Sequence, residues 1–407
     1  MRIAAINMYS DGSTGKIMLQ VAELARKSGH EVVTYSTHSA AGHFSKLPEP
    51  PEGHKYYGNF AENCLHYIIG NVFGFNGCFS TVGTYKLIKE LKKQKIDILH
   101  LHNLHRYCIN LPVLFRFIKK NNIKVIWTLH DCWAFTGHCP HFDMAGCDKW
   151  KSQCFSCPKH RSYPSSYFDD SRFMYKIKKN MFSEVENLTL VTPSEWLGNL
   201  AKQSFLKDKP VKVINNGVDL NVFKTVKSDF RKKYQCEDKF IILGVAFAWG
   251  KSKGLDVFIE LSKRLPNNYQ IVLIGTDEKI DDLLPDNIIS IHRTGSREKL
   301  AEIYSSADLF VNPTREEVFG LVNIEALACS TPVLTFRTGG CPECIDETCG
   351  SVVEKNDIDA MEKEIIRIAQ SKPFSQDSCV ERAKLFDINK KYQEYIDLYN
   401  SVSQKEK

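Results

Sequence analysis

The chain has no long hydrophobic run. None of its 407 residues lies in a stretch approaching the roughly 18 consecutive apolar residues that a membrane-spanning helix needs. The most lipid-like segment, residues 64–79, is interrupted by Asn71, Asn76 and several glycines. No export leader is apparent, since only four apolar residues precede Asn7. Because fourteen cysteines without a leader indicate reduced thiols, we expect a cytoplasmic protein.

Strong charge of either sign is also missing. The formal net charge is +6, with 25% charged and 43% hydrophobic residues. Such mild basicity suits an anionic ligand or a membrane surface, whereas it is too weak to indicate a nucleic-acid partner. The composition is that of ordinary globular proteins, and the length allows two domains with sizeable cores.

Three common nucleotide and metal motifs are absent. Residues 2–35 read as strand, glycine loop, helix and strand, but the loop at 10–16 lacks the Gly-x-Gly-x-x-Gly of dinucleotide-binding folds. A second loop, 244–252, resembles a P-loop, yet five residues instead of four separate its glycines. No Asp-x-Asp follows a predicted strand, so we expect no catalytic metal. These absences argue against a dinucleotide oxidoreductase and an ATPase.

What the sequence does contain is a repeated alternation of short apolar strands and helices. Strands are predicted at 2–8, 30–35, 96–101, 124–129, 188–192 and 211–214, and again at 240–246, 270–274, 288–292, 308–311 and 333–336. Two successive runs of this kind predict an α/β protein with two parallel sheets. Residues 40–80 carry no clear pattern.

The most informative stretch is 312–333. A strand runs out into Pro313, a turn passes through Gly320, and a helix-forming run follows. Glu317 and Glu325 bracket the turn with seven residues between them. Because a helix N-terminus presents N–H groups and a positive dipole end, a phosphate-bearing ligand held there would bring its hydroxyls to both carboxylates. A surface turn with solvated glutamates explains the spacing equally well.

These residues resemble the signature of a known family. A Glu, seven residues and a Glu, with Phe-Gly-Leu inside and Ala-Leu-Ala-Cys-x-x-Pro-Val after, is similar to the retaining nucleotide-sugar glycosyltransferases of family 4. Asn-Gly-Val-Asp-x-x-x-Phe at 216–223 resembles that family's crossing from the first domain to the second. The resemblance implies the GT-B fold, in which two Rossmann-like domains with parallel sheets face each other across a cleft.

The domain limits follow from the same resemblance. We expect an acceptor-binding domain at 1–215, which contains a cysteine-rich insert at 132–160. A nucleotide-sugar-binding domain is expected at 216–385, with a C-terminal helix at 386–407 that packs back on the first domain.

The resemblance also implies roles for individual residues. Glu317 would hold hydroxyls of the donor sugar, and Glu325 would hold the ribose. Lys253 would neutralise the donor phosphates, and His130 would face the transferred sugar, although a histidine at a strand end is usually structural. We therefore predict Glu317, His130 and Lys253 as catalytic residues. The predicted donor-binding residues are Gly15, Lys251, Lys253, Gly295, Glu317, Phe319, Gly320, Leu321, Val322 and Glu325.

The chain departs from the family pattern at one position. The family usually carries an arginine five or six residues before the phosphate-neutralising lysine, but Phe247 and Ala248 occupy those places. Either Lys251 substitutes for the arginine or the phosphate clamp is weaker.

Cysteines cluster in the insert. Cys139, Cys147, Cys154 and Cys157 lie within 19 residues and end in a Cys-x-x-Cys pair, which suits a tetrahedral thiolate zinc site. Reduced buried cysteines are the alternative, and nearby histidines could replace one ligand. We predict a structural zinc at these cysteines and no catalytic cofactor.

The implied reaction is transfer of a sugar from a nucleoside diphosphate to a hydroxyl, with retention at the anomeric carbon. We predict a metal-independent hexosyltransferase of capsule or other polysaccharide biosynthesis, which acts on a lipid-linked saccharide. The alternatives are a non-catalytic partner module of the same fold and a nucleotide-sugar epimerase.

A basic amphipathic helix is predicted at 172–184. A solvated helix face is the simpler interpretation. Contact with the inner face of the cell membrane is the other, and a lipid-linked acceptor would favour it.

Overall fold

The computed structural model describes residues 1–37 and 49–404, which form two compact units. The first unit comprises Met1–Ile214 together with the chain from Tyr392 onward, and the second comprises Asn215–Lys391. The sequence-based limits were 215 and 385. Residues 38–48, which overlap the stretch without a clear pattern, and the last three residues of the expected C-terminal helix lie outside the described part.

The first unit is a parallel sheet with helical connections. Its elements are β1 (Arg2–Ile6), α1 (Gly12–Lys27), β2 (Glu31–Ser36), β3 (His54–Tyr56), α2 (Phe60–Phe73), α3 (Thr81–Gln94), β4 (Ile98–Leu101), α4 (Leu111–Lys120), β5 (Lys124–Thr128), α5 (Ser171–Ser183), β6 (Leu188–Thr192), α6 (Glu195–Ala201) and β7 (Val211–Val213). The strand order is β3-β2-β1-β4-β5-β6-β7, and each described pairing is parallel. The strand order therefore reverses direction between β1 and β4.

Local sequence explains why these elements form. α4 illustrates the point, because Asn110 precedes it and its side chain accepts a hydrogen bond from Val113 N, which caps the helix start. Leu114, Phe115 and Ile118 then recur at helical spacing and are fully buried. The central strands β4 and β5 are short apolar runs whose residues are almost all buried, as expected for a parallel sheet covered on both faces.

The second unit has the same architecture, a parallel sheet with helical connections. Its elements are α7 (Phe230–Lys233), β8 (Phe240–Val245), α8 (Leu255–Arg264), β9 (Tyr269–Ile274), α9 (Glu278–Asp281), β10 (Ile288–Ile291), α10 (Arg297–Ser306), β11 (Leu309–Asn312), α11 (Leu321–Ala328), β12 (Val333–Phe336), β13 (Gly350–Val353), α12 (Ile358–Ser371) and α13 (Gln376–Lys384). The strand order is β10-β9-β8-β11-β12-β13, again with parallel pairings, and it reverses between β8 and β11. The α/β fold with two parallel sheets, predicted from the sequence, is confirmed.

The last helix, α14 (Ile388–Gln404), ends in the first unit. Tyr395 Oη accepts a hydrogen bond from Thr128 at 3.3 Å, and Tyr399 Oη is hydrogen-bonded to His100 Nδ1 at 2.7 Å. These buried bonds fix the helix against the ends of β4 and β5. Among the described residues, no helix is long and apolar enough to cross a membrane.

Candidate active site

The second unit brings two loops together where its strand order reverses. Lys253 lies in a 3₁₀ turn, Lys251–Lys253, that follows β8, and Glu317 lies in the loop that follows β11. Because β8 and β11 are parallel neighbours, both loops leave the same edge of the sheet. Open α/β sheets bind their ligands at this edge, where the strand order switches.

The two side chains form an ion pair. Lys253 Nζ donates to Glu317 Oε2 at 2.8 Å, and both side chains are partly exposed, at 35% and 25%. Burial would lower the pKa of Lys253, but the neighbouring carboxylate of Glu317 outweighs burial and the net shift is upward. Lys253 is therefore a fixed cation at neutral pH, and Glu317 can still accept hydrogen bonds from a ligand.

Arg315 joins these two loops by hydrogen bonds, a role that the sequence pattern did not indicate. Its guanidinium donates to both carboxylate oxygens of Asp256, at 2.7 and 2.9 Å, and to the carbonyl of Lys251 at 2.6 Å. Its backbone N–H donates to Ser252 O at 2.7 Å. Since Arg315 is only 7% exposed, it acts as a support for the turn that carries Lys253.

The start of α11 has the backbone geometry expected of an anion site. Gly320 precedes the helix with φ 91°, a left-handed conformation that favours glycine, and a Cβ there would lie 2.9 Å from Asn323 Nδ2. Leu321 and Val322 form the first turn and are half-buried. Phe319 is buried and packs against Phe386, so only its backbone could contact a ligand.

Glu325 lies one helical turn further into α11. Its carboxylate accepts a hydrogen bond from Tyr304 Oη at 3.3 Å. Burial raises the pKa of Glu325 to about 7, although Arg297 and Tyr304 act in the opposite direction. The group therefore changes charge near neutral pH.

Two other predicted donor residues are exposed on the second unit. Lys251 directs its side chain to solvent while its carbonyl is held by Arg315. Gly295 lies between β10 and α10 with φ 78°, and a Cβ there would meet no heavy atom within 4 Å. Its left-handed backbone requires glycine-like freedom.

In the first unit, Gly15 is buried in the first turn of α1. A Cβ at this position would lie 2.5 Å from the Ser10 carbonyl carbon and 2.7 Å from the Tyr9 carbonyl oxygen. Close backbone packing thus accounts for the glycine at this position.

His130 follows β5 and belongs to a histidine chain. Its Nε2 is hydrogen-bonded to His102 Nδ1 at 3.0 Å, and the two rings are stacked. Burial lowers the pKa of His130 to about 4, with Asp131 opposing and His105 assisting the shift. The imidazole is therefore neutral at physiological pH and can donate or accept a hydrogen bond.

Next to His130 lies a histidine–aspartate pair, His105 with Asp131, which was not anticipated from the sequence. His105 Nε2 is hydrogen-bonded to Asp131 Oδ2 at 3.0 Å, and His105 Nδ1 is hydrogen-bonded to Tyr163 Oη at 3.1 Å. Burial would raise the pKa of Asp131, but His105 and the N–H of Trp133 lower it below its ordinary value. Only the adjacency of His130 and Asp131 after a strand could have pointed to this pair.

The cysteine-rich insert folds as a series of short turns around one small cavity of about 10 Å³. The cavity is lined by Cys139, Cys147, Cys154 and Cys157 among other residues. Burial raises the pKa of the Cys154 thiol to about 11, although Gly137 N, which donates to Cys154 Sγ at 3.2 Å, acts in the opposite direction. Among the described residues, no group of three or more His, Cys, Asp or Glu side chains is arranged so that it could hold a metal ion. The zinc site therefore stays a prediction.

Two parallel sheets, each with a reversal in its strand order, define a protein built from two Rossmann-like units. A profile described as "Glycosyltransferase Family 4" matches residues 14–222, and one described as "Glycosyl transferases group 1" matches residues 226–386. Because the first match covers half of the chain, the chain belongs to glycosyltransferase family 4, as its sequence resemblance predicted.

Two relatives extend this similarity. The chain is 26% identical over 287 residues to the putative colanic acid biosynthesis glycosyl transferase WcaC of Escherichia coli, covering 68% of this chain and 67% of that protein. It is 24% identical over 328 residues to an uncharacterized 41.2 kDa protein in the cps region of Klebsiella pneumoniae, covering 77% and 82%. The uncharacterized glycosyltransferase MJ1178 of Methanocaldococcus jannaschii is 29% identical over 170 residues, which cover 37% of this chain and 47% of that protein.

Solved structures share the fold. Sucrose-phosphate synthase from Thermosynechococcus elongatus superimposes with a TM-score of 0.72 at 19% identity, covering 98% of both chains. HepE of Anabaena, solved with UDP and glucose, gives a TM-score of 0.68 at 15% identity, covering 98% of this chain and 100% of its own. These are GT-B glycosyltransferases, and the GT-B fold predicted from the sequence is confirmed.

Proposed function

We propose that the chain is a retaining glycosyltransferase that moves a sugar from a nucleoside-diphosphate sugar to a hydroxyl of a lipid-linked saccharide in polysaccharide biosynthesis. The observation that carries the proposal is the Lys253–Glu317 ion pair at the switch point of the second sheet. The names of WcaC and of the cps-region protein support a polysaccharide product. We propose the cytoplasm, at the inner face of the cell membrane, as the place of action.

In this proposal, the bond from the anomeric carbon to the diphosphate breaks while the acceptor oxygen bonds to the same face. The acceptor proton passes to the leaving phosphate. Lys253 and the N–H groups at Leu321 and Val322 stabilise the charge that grows on the diphosphate, which needs no metal. Glu317 holds the sugar hydroxyls and Glu325 the ribose.

The proposal also assigns roles to the remaining predicted residues. Lys251 replaces the missing arginine by reaching the phosphates through its exposed side chain. Gly295, Phe319 and Gly320 contribute backbone groups to donor binding. In the first unit, His130 contacts the transferred sugar as a neutral imidazole, and Gly15 allows the close packing of its loop.

A thermal-shift screen of nucleotides and nucleotide sugars tests the proposal first, because a ligand that binds the folded state raises the melting temperature. A transfer assay with the selected donor follows, and the product anomer is read by NMR. Release of nucleotide without any acceptor, or interconversion of the donor sugar, would point to a hydrolase or an epimerase. Binding of no nucleoside diphosphate would favour the non-catalytic module.

We also propose that Cys139, Cys147, Cys154 and Cys157 hold a structural zinc. Their side chains line one cavity, and a zinc ion would draw them into tetrahedral contact. Lys178, fully buried on α5, donates to Trp133 O and Thr136 O at 2.7 and 3.0 Å beside this cluster. Burial lowers the pKa of Lys178 to about 7, although Cys154 and Asp131 act in the opposite direction, and a zinc–thiolate group would favour its charged form further.

Elemental analysis of the purified chain measures the zinc directly. We expect about one equivalent, lost when Cys139 and Cys157 are both changed to Ser, and retained when the buried Cys236 of the second unit is changed instead. Less than about half an equivalent in the unchanged chain would contradict the site. A chelator should also lower the melting temperature, because metal binding is coupled to folding.

A further inference from the structure

Exposed large hydrophobic side chains concentrate in one region of the first unit. They lie on α2, at the start of α3 and in the segment 144–173, where they include Leu65, Ile68, Phe73, Tyr167, Phe168 and Phe173. We name these six side chains the α2 patch. Contiguous exposed apolar surface of this kind marks a binding surface, since isolated proteins rarely retain it.

α2 itself is unusual for a helix of a globular unit. Only His66 and Gly70 are buried, whereas Leu65 and Ile68 are 57% and 58% exposed. The helix carries no lysine or arginine. Its acidic residue, Glu62, accepts hydrogen bonds from the N–H groups of Val82 and Gly83, at the start of α3. The outer side of α2 is therefore apolar rather than charged.

The aromatic part of the patch is fixed in place. Tyr167 N donates to Asn71 O at 2.7 Å and Phe168 N to Val72 O at 2.9 Å, which ties the loop to the end of α2. The Phe73 and Phe168 rings are stacked with their centres 5.9 Å apart. A preformed surface loses little conformational entropy when it binds.

One cation lies beside an aromatic ring of the patch, and two more lie beside the exposed Phe155, which is not one of the six patch side chains. The Arg161 guanidinium lies 5.5 Å from the Tyr167 ring centre, and Arg172 lies 5.7 Å from that of Phe155. Lys149 Nζ lies 4.5 Å from the Phe155 ring centre. Two acids, Asp169 and Asp170, lie between Phe168 and Phe173 in sequence. The carboxylate of Asp169 accepts hydrogen bonds from the N–H groups of Cys157 and Ser171.

The charge pattern distinguishes lipid from protein as the partner. Lys176 and Lys179 add exposed positive charge on α5, whose apolar side chains Met174, Met181 and Phe182 face inward. Protein interfaces are depleted of lysine, whereas surfaces that bind anionic phospholipids combine exposed aromatic and aliphatic residues with lysine and arginine.

We propose that the α2 patch and its surrounding cations bind the surface of an anionic phospholipid bilayer, with α2 lying in the interface plane. This inference deepens the proposed function, on which it rests for the location of the enzyme. It extends the contact suggested by the sequence, the outer face of helix 172–184, to α2 and the 167–168 loop.

Vesicle flotation tests the proposal with the full chain and no donor or acceptor. We expect binding to vesicles of phosphatidylcholine with phosphatidylglycerol, weaker binding to phosphatidylcholine alone, and loss of the difference at high salt. Changing Leu65 and Ile68 to Gln together should weaken binding at least about tenfold, because two side chains lose their apolar contact. The control is Leu283→Gln, which removes an equally exposed leucine from the second unit.

A second pair of changes keeps the test decisive if the first destabilises α2. Tyr167→Ser with Phe168→Ser should weaken binding to both kinds of vesicle, whereas Arg161→Gln with Arg172→Gln should act mainly on the anionic vesicles. No flotation of the unchanged chain would overturn the proposal, as would an equal loss in L283Q. A change from dimer to monomer in the patch variants without any effect on lipid binding would assign the patch to a second copy.

The assay separates this inference from the proposed function. Transfer to a water-soluble acceptor should be unchanged in the patch variants, because the donor residues Lys253 and Glu317 lie in the other unit. Lipid binding without any transfer would leave the surface in place and remove the enzyme assignment.

Discussion

Among individual residues, Glu317 gives the most direct test of the active site. Its carboxylate is paired with Lys253, and its other oxygen accepts a hydrogen bond from Val318 N at 3.0 Å. We predict that Glu317→Gln lowers the transfer rate by roughly 10²-fold or more, the loss typical of one preorganised polar contact. The melting temperature should change little, because partly exposed ion pairs contribute little to stability.

The control for this change is Glu347→Gln, which alters an exposed carboxylate in the same unit. Steady-state kinetics with the donor identified in the thermal-shift screen provide the measurement. Activity of Glu317→Gln close to that of the control would remove Glu317 from the active site.

The pKa of Glu325 predicts a pH dependence of donor binding. Burial raises this pKa to about 7, and a ribose hydroxyl donates better to a carboxylate than to a carboxylic acid. Affinity for the nucleoside diphosphate should therefore rise with pH through about 7 and level off above it. Calorimetric titration across this range measures the effect, and Glu325→Gln should abolish the part due to this group. An identical pH profile in both proteins would contradict the ribose assignment.

Loops and helices depend on supports that lie far away in sequence. Arg315 joins the β11–α11 loop to Asp256 and to the Lys251–Lys253 turn. We predict that Arg315→Lys lowers the free energy of unfolding by about 1–3 kcal/mol, because lysine keeps the charge but loses the bidentate hydrogen bonds to Asp256. Donor affinity should fall as well, since the turn carries Lys253.

Chemical denaturation and donor titration measure both effects. The matched control is Arg337→Lys, since Arg337 pairs with Glu354 on the surface, where both side chains are more than half exposed. A loss of stability in Arg315→Lys no larger than in this control would show that the support is unimportant.

The strands were predictable from the sequence, because short apolar runs between turn residues are typical of buried strands. The strands at 188–192 and 333–336 coincide with their predictions. α2 was missed, because its apolar residues occur on several sides and give no helical period. The same feature leaves its outer side exposed.

The candidate site was predictable to a different extent. The Glu317, Gly320 and Glu325 spacing describes one local turn, so the sequence contains it. The role of Arg315 depends on Asp256, which lies 59 residues earlier, and no local pattern reports that contact. Likewise, glycine is needed at position 15 because a Cβ there would clash with the backbone of Tyr9 and Ser10, and no sequence motif reports that contact.

The two units differ in how they hold histidine, and this difference predicts opposite responses to acid. Burial lowers the pKa of seven histidines among the described residues of the first unit: His54, His66, His130 and His138 to about 4, His100 to about 3, and His30 and His102 also below the ordinary value. The second unit contains Glu325, whose pKa is raised to about 7, and the exposed His292, whose pKa Asp281 raises.

The direction of the change in stability with pH follows from which state, folded or unfolded, binds protons first. A histidine with a lowered pKa stays neutral in the folded unit while the unfolded chain becomes protonated below about pH 6.5, so stability is lost as the pH falls. At about pH 5, each such histidine costs about 2 kcal/mol, and several together approach the whole stability of a domain. Glu325 takes up its proton in the folded state first and so stabilises the second unit over the same range.

We therefore predict that the first unit unfolds before the second as the pH falls from about 7.5 to 5. Pulse proteolysis at increasing denaturant concentration measures each unit, because the surviving fragments identify which unit has opened. His54→Gln should reduce the acid sensitivity of the first unit by about 2 kcal/mol, since it removes one such group. Loss of the second unit first, or equal loss of both, would show that buried histidines do not control acid stability. The order matters for activity, because Lys253 and Glu317 would still be paired in a folded second unit after the first unit has opened.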